Sequence, residues 1–256
     1  MALKKRLILT LYYNNGFYCL SRNFRLQQVG NVDWLLNAYP FKTVADSIDE
    51  LFIINVSRET IEEYSNRFFL DVEKIMSKVF VPLTLGGGIR NFSHVNSLFE
   101  NGSDKVVINR MIIENPLLVQ QISKRYGCQS IVASIDFKKI NNQYFSFLPQ
   151  QKKTMILQDH INQVNKLNVG EIMLTSVDKD GTGQGYDTGV KEYIKECNSP
   201  IILSGGAGKP EHFLDALKIK EVSAVSTANL FNFLGDSLEI SRNFLIDKGV
   251  NLRLLN

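Results

Sequence analysis

Histidine and cysteine are scarce in this chain of 256 residues, and their scarcity removes several kinds of chemistry. The three cysteines, Cys19, Cys128 and Cys197, are odd in number and far apart, which suits neither a disulfide framework nor a zinc site. They read as reduced structural thiols. The three histidines, His94, His160 and His212, lie in separate helical-looking segments, so no metal site and no serine–histidine relay is expected. Long apolar runs are missing too: none approaches the roughly 18 residues that a spanning helix needs. The opening MALKKRLILTLYYNNG lacks a small-residue cleavage site, so a cytoplasmic protein without a membrane segment is expected. Basic residues are not massed: net charge is +3, and no basic run is longer than Lys4-Lys5-Arg6, so nucleic acid is not the expected partner. Nothing in the pattern calls for a cofactor.

What the chain does have is apolar surface in short pieces. Hydrophobic residues make up 44% and charged residues 21%, enough for a full core. Eight apolar runs recur, at Leu7–Tyr12, Leu51–Val56, Val81–Leu85, Lys105–Asn109, Ile131–Asp136, Glu171–Ser176, Ile201–Ser204 and Ala224–Ala228. Their apolarity is continuous rather than alternating, which marks strands buried on both faces of a parallel sheet. Between them lie helical patterns such as Asp71–Lys78, Pro116–Tyr126, Leu157–Leu167, Glu211–Ile219 and Asp236–Lys248. Eight strand–helix units in this length predict an α/β chain folded as a (β/α)8 barrel, one domain over residues 1–256.

The two halves echo each other. LTLGGGIRNF matches ILSGGAGKPEHF, with Gly87 and Gly206 separated by 119 residues, and DELFIINVS matches GEIMLTSVD, with Glu50 and Glu171 separated by 121. Two pairs at nearly one offset indicate a duplicated half-barrel. The working face of such a barrel is the C-terminal end of its strands. There, Gly86-Gly87-Gly88 and Gly205-Gly206-Ala207-Gly208 each lead into a helix, where backbone N–H groups and the helix dipole suit an anion. Tight turns alone would also call for glycine. The sixth run ends in TSVDKDGTGQGYD, whose Asp178, Asp180, Gly181 and Thr182 offer ligand contacts or simply a solvated turn. Asp136 ends the fifth run, and a carboxylate at a buried strand terminus suits acid–base work. Counting back 124 residues from it reaches Tyr12.

Together, KRLILTLYYNNG, LTLGGGIRNF, DKVVIN, SIDFKK, GEIMLTSVDKDGTGQGYDT, ILSGGAGKPEHF and the ending GVNLRL resemble the HisF family, the cyclase subunit of imidazole glycerol phosphate synthase. The similarity covers essentially the whole chain, and the TSxDxDGTxxGYD string is highly specific. It implies a (β/α)8 barrel that takes ammonia from a glutaminase partner, HisH, and joins it to a bisphosphorylated substrate. It implies phosphate contacts at Gly88 and Asn109 on one side and at Asp180, Gly181, Gly206 and Ala228 on the other; with the flanking Gly86, Gly87, Thr182, Gly205 and Gly208, and with Arg110 and Asn229, these make up the expected phosphate-binding set. Asp136 corresponds to one of two catalytic aspartates. The other corresponds to Tyr12.

Four further departures accompany that change: Leu20 for a lysine of the first loop, Asn55 for an acid, Arg110 for a threonine and Asn229 for a serine. Arg110 fits two roles, a replacement phosphate donor or a side chain that fills the site. The ring around the ammonia entrance is retained as Arg6, Glu50, Lys105 and Glu171, and Asp104, which corresponds to a residue facing the glutaminase, is retained too. The expectation is a HisF-like subunit that completes a HisH-type glutaminase and conveys ammonia, with its cyclase site degraded. It resembles the HisF-like proteins associated with acetamidino modification of bacterial surface sugars, where a separate sugar amidotransferase uses the ammonia. The alternative is an active cyclase making imidazole glycerol phosphate and AICAR. A sugar-phosphate isomerase is a weaker third reading, because it also wants two opposed acid–base groups.

Overall fold

A computed structural model describes residues 4–38, 41–57, 66–148, 153–228 and 236–253. Its strands are β1 Arg6–Asn14, β2 Phe17–Arg22, β3 Arg25–Gly30, β4 Glu50–Asn55, β5 Leu83–Gly86, β6 Lys105–Ile108, β7 Ile131–Ile140, β8 Gln143–Leu148, β9 Lys153–Ile156, β10 Glu171–Ser176, β11 Ile201–Ser204 and β12 Val222–Thr227. Its helices are α1 Val32–Ala38, α2 Phe41–Ala45, α3 Asn66–Met76, α4 Phe92–Glu100, α5 Met111–Glu114, α6 Pro116–Tyr126, α7 Leu157–Asn165, α8 Lys191–Ile194, α9 Pro210–Leu217 and α10 Ser237–Asp247. Eight strands, β1, β4, β5, β6, β7, β10, β11 and β12, pair in parallel in that order, and β12 pairs with β1 to close the barrel. The expected (β/α)8 barrel is therefore present, with every predicted run on a barrel strand.

Two hairpins lie outside that expectation. Strand β1 runs past the barrel and turns at Asn15-Gly16 into β2 and β3, and β7 does the same at Asn141-Asn142 into β8 and β9. All four turn residues have positive φ, which suits the two-residue turns whose twist matches hairpin strands. The additions fall at equivalent places in the two halves, so the duplication extends to them.

Local chemistry sets the helix limits. In α6, Pro116 occupies the first turn and the Asn115 side chain accepts the Leu118 N–H, while Gly127 at φ 87° ends the helix. Helix α3 puts Phe68, Val72 and Ile75 on one buried stripe against the sheet. Inside the barrel, Ile8, Phe52, Val107, Val132, Met173, Ile202 and Ala224 form a separate apolar layer. Truncating Phe52, fully buried there, would cost about 3–5 kcal/mol.

Asp49 and Arg242 form a buried two-pronged pair at 3.0 Å. Asp49 also accepts the Leu7 N–H at 2.8 Å, and Arg242 reaches the Arg253 carbonyl. These bonds fasten α10 to the start of β1. His160 on α7 is 1% exposed, and neither ring nitrogen has a hydrogen-bond partner among the described residues. Burial pushes its imidazole from 6.5 down to about 4. Folded His160 stays neutral where the unfolded chain takes up a proton, so its contribution is complete above about pH 6.5 and is lost as pH falls toward 4. We expect the unfolding free energy of the wild type, measured in urea, to fall relative to that of His160→Leu across this window, at about 1 kcal/mol per pH unit. Parallel curves would assign the imidazole no role.

Candidate functional site at the barrel mouth

The floor of the barrel is built from the first residues of four strands. Arg6 contacts Glu50 at 2.8 Å and also Glu171, while Lys105 contacts Glu50 at 2.9 Å and Glu171 at 2.7 Å. Thr84 donates a further bond to Glu50 at 2.8 Å. The result is a closed ring of alternating charge. Burial opposes the Glu171 carboxylate, yet Arg6 and Lys105 hold its pKa below the ordinary range. Arg6 and Lys105 keep 24% and 20% of their side chains exposed against 2% for Glu50, so the cations are the members free to swing.

Alternation along the strands then fixes what stands above. Tyr12 lies four residues beyond Ile8 and Asp136 four beyond Val132, both counted from the same apolar layer. They sit at one height on strands of opposite halves, β1 and β7. Asp136 accepts from Asn109 Nδ2 at 2.9 Å. Burial raises its carboxyl to about 7, the Asn109 bond opposes the shift, and nearby Asp180 adds to it. Burial also pushes the Tyr12 phenol far above its ordinary value, and Asp180 and Asp136 push it further. Tyr12 is thus a neutral hydroxyl opposite a carboxyl poised near neutrality. It can donate a hydrogen bond and cannot act as a carboxylate base.

Tyr13, one residue on, points the other way. It packs edge-on against Tyr18 and Phe68 outside the barrel, and burial and nearby Asp71 raise its phenol to about 12. Sequence reasoning left its role unassigned, though strand alternation supplies the signal.

The glycine clusters occupy equivalent places. Gly87 has φ 92° and a Cβ there would meet the Asn55 carbonyl at 1.9 Å; Gly206 has φ 112° and a Cβ would meet the Gly185 carbonyl at 2.1 Å. Close backbone approach alone thus requires glycine at both. Beside the second cluster lies a cavity of about 300 Å³, lined by Asp180, Gly181, Gly205, Gly206 and Ala228 among the expected residues. It is also lined by Ser204, Ser226, Thr227 and, from the first hairpin, Leu20, Arg22 and Arg25. The two arginines escaped the sequence reading because nothing in it placed 17–30 as a hairpin over the mouth.

Other expected contacts are engaged within the protein. The Gly208 N–H donates to His212 Nδ1 at 3.1 Å, and the Thr182 hydroxyl donates to the Lys179 carbonyl at 2.8 Å. Asp178 accepts from the Lys139 N–H. Near the first cluster, where Gly86 and Gly88 flank Gly87, Arg110 pairs with Glu114 at 2.8 Å. Asn55 is buried and accepts from the Ser57 N–H. Asn229 lies outside the described residues. On the opposite face Asp104 is exposed, with one oxygen accepting the Leu83 N–H at 2.8 Å. Cys19, Cys128 and Cys197 are unpaired.

Residues 42–235 match the family model described as histidine biosynthesis protein. A relative from Parasynechococcus marenigrum, provisionally named imidazole glycerol phosphate synthase subunit hisF2, is 43% identical over 93% of this chain and 89% of its own. Imidazole glycerol phosphate synthase subunit HisF of a Thermotoga species is 35% identical over 98% of each chain. The protein of the same name from Sulfurisphaera tokodaii is 36% identical over 98% of this chain and 99% of its own.

The site yields a stability test. Asp136 has its folded pKa raised above the ordinary 3.8, so its contribution is complete below about pH 4, declines as pH rises and is gone above about pH 7. Asp136→Asn should gain on the wild type across that interval and level off near 2 kcal/mol, a figure reduced for the residue's partial exposure. Chemical denaturation between pH 4.5 and 8 reads this out, and a difference independent of pH would contradict the raised carboxyl.

Proposed function

Because the chain belongs to the HisF family, we propose that it is the barrel subunit of a glutamine amidotransferase complex that conveys ammonia without performing the cyclase reaction. The observation that carries this reading is Tyr12, a neutral phenol at the height of Asp136 on the opposite half of the mouth. A cyclase using two carboxylates would need one of them there. The closed ring of Arg6, Glu50, Lys105 and Glu171 supports the conduit half of the reading. Above it, the apolar layer favours neutral ammonia over ammonium, since a bare cation pays heavily for leaving water. Higher still, the Thr10 and Ser226 hydroxyls meet at 2.6 Å and offer polar contacts toward the mouth.

In this reading a HisH-type glutaminase docks on the face that carries Asp104. Ammonia released there passes when Arg6 or Lys105 swings aside, and emerges beside Tyr12 and Asp136. A separate sugar amidotransferase consumes it, in acetamidino modification of a surface sugar, within the cytoplasm. The chain works as one domain over residues 1–256.

The second reading, an active cyclase, draws on Asp136, whose carboxyl near pH 7 is suited to acid–base work. Direct assay separates the two. Given the bisphosphate intermediate and a high concentration of ammonium salt, the protein should form no imidazole glycerol phosphate above background. Robust turnover would overturn the conduit reading. Asp104→Lys should weaken the glutaminase complex at least about tenfold, measured by calorimetry, while Asp104→Asn, which keeps an acceptor for the Leu83 N–H, should fall between. Equal affinities for all three would remove Asp104 from the interface.

A further inference from the structure

The first hairpin lies across one side of the mouth and is tied to the loop after β10, most of all by Asp180. Asp180 accepts the Ser21 hydroxyl at 2.5 Å and the Phe24 N–H at 3.0 Å, and its carbonyl accepts the Asn23 N–H at 3.0 Å. The Asn23 side chain adds bonds to the Val177 and Asp178 carbonyls. The turn itself is strained, because Phe24 sits at φ 61°, a conformation that bulky side chains avoid. Such strain persists where the surroundings impose it, and here the imposed position brings the turn against the second glycine cluster.

That position carries two cations into the cavity wall. Arg22 and Arg25 stand directly opposite each other on the hairpin, and both line the cavity with Gly181, Gly205 and Gly206. Like charges facing across a strand pair are destabilising unless something offsets them. Neither arginine has an ion-pair partner among the described residues, and both are exposed. An anion between them and the glycine backbone would supply the missing charge, with guanidinium groups on one side and N–H groups on the other. Across the mouth the charges are arranged otherwise, since Arg110 beside the first cluster is already matched by Glu114.

We propose that Arg22 and Arg25 are specificity-determining residues that roof a one-ended anion site, so that the ligand here carries a phosphate or diphosphate at one end only. The proposal deepens the reading above by naming the ligand class. Its test involves neither glutaminase nor ammonia, so either can fail alone.

Titrating the full chain calorimetrically with inorganic pyrophosphate should give one site per chain. Arg22→Gln should weaken binding about tenfold, and the Arg22→Gln/Arg25→Gln pair further, because each removes a charge-assisted contact. Lys138→Gln/Lys139→Gln, an equal loss of charge on the second hairpin, should leave affinity within about twofold. Independently of any variant, pyrophosphate should protect the Arg22 and Arg25 peptide bonds from trypsin. Two equivalent sites per chain, full affinity in the double arginine variant, or a turn cleaved equally fast with and without pyrophosphate would overturn the proposal.

Discussion

Four charges share the floor of the barrel, each touching two of opposite sign, so removing any one leaves a single charge to serve two partners. Arg6, Glu50, Lys105 and Glu171 each open their strand, so the ring pins the starts of β1, β4, β6 and β10 at one level. Breaking a buried pair by deleting one partner commonly costs about 3–5 kcal/mol, whereas replacing all partners with apolar side chains is often neutral. Such a ring is therefore poorly explained by stability alone and well explained by a need for polarity at that point. Everything above inherits its height from it: apolar side chains first, then hydroxyls, then Tyr12 and Asp136.

The two halves keep the same scaffold and divide the chemistry. Each has a long first strand, a hairpin with positive φ at its turn, and a glycine whose absent Cβ lets one backbone lie against another. The hairpins differ in where their cations go. Lys138 and Lys139 of the second lie over the rings of Phe147 and Tyr144, spending their charge on aromatic faces, while Arg22 and Arg25 of the first look into the cavity. Symmetry of backbone thus coexists with asymmetry of charge, and the asymmetry decides what the mouth can hold.

The barrel was legible because buried parallel strands leave continuous apolar runs, and a duplicated backbone leaves duplicated glycines. Asp136 was legible for a related reason: a carboxylate at the end of such a run has no packing purpose. The hairpins were not, because β2 reads FYCLSR and β3 reads RLQQVG, segments whose strand character comes from pairing with β1 rather than from their own apolarity. With the hairpin unplaced, Arg22 and Arg25 could not be set against residues some 160 positions away. Likewise Gly208 and Thr182 look available in sequence, and only the fold shows their polar groups turned inward to His212 and Lys179.

The clasp between Asp49 and Arg242 bears on how the chain is made. Ribosomal synthesis delivers β1 first, yet one of its barrel neighbours, β12, comes last: Thr10 and the Ser226 it meets are 216 residues apart. Until then the nascent half-barrels hold an open strand edge, a surface prone to pairing with the wrong chain. The bond from the Leu7 N–H to Asp49 can form early, but the Asp49–Arg242 pair that braces it forms only when α10 arrives. A bidentate buried contact at that joint ties the closed barrel to the arrival of α10, so an interrupted translation product would lack the latch and stay open to aggregation and proteolysis.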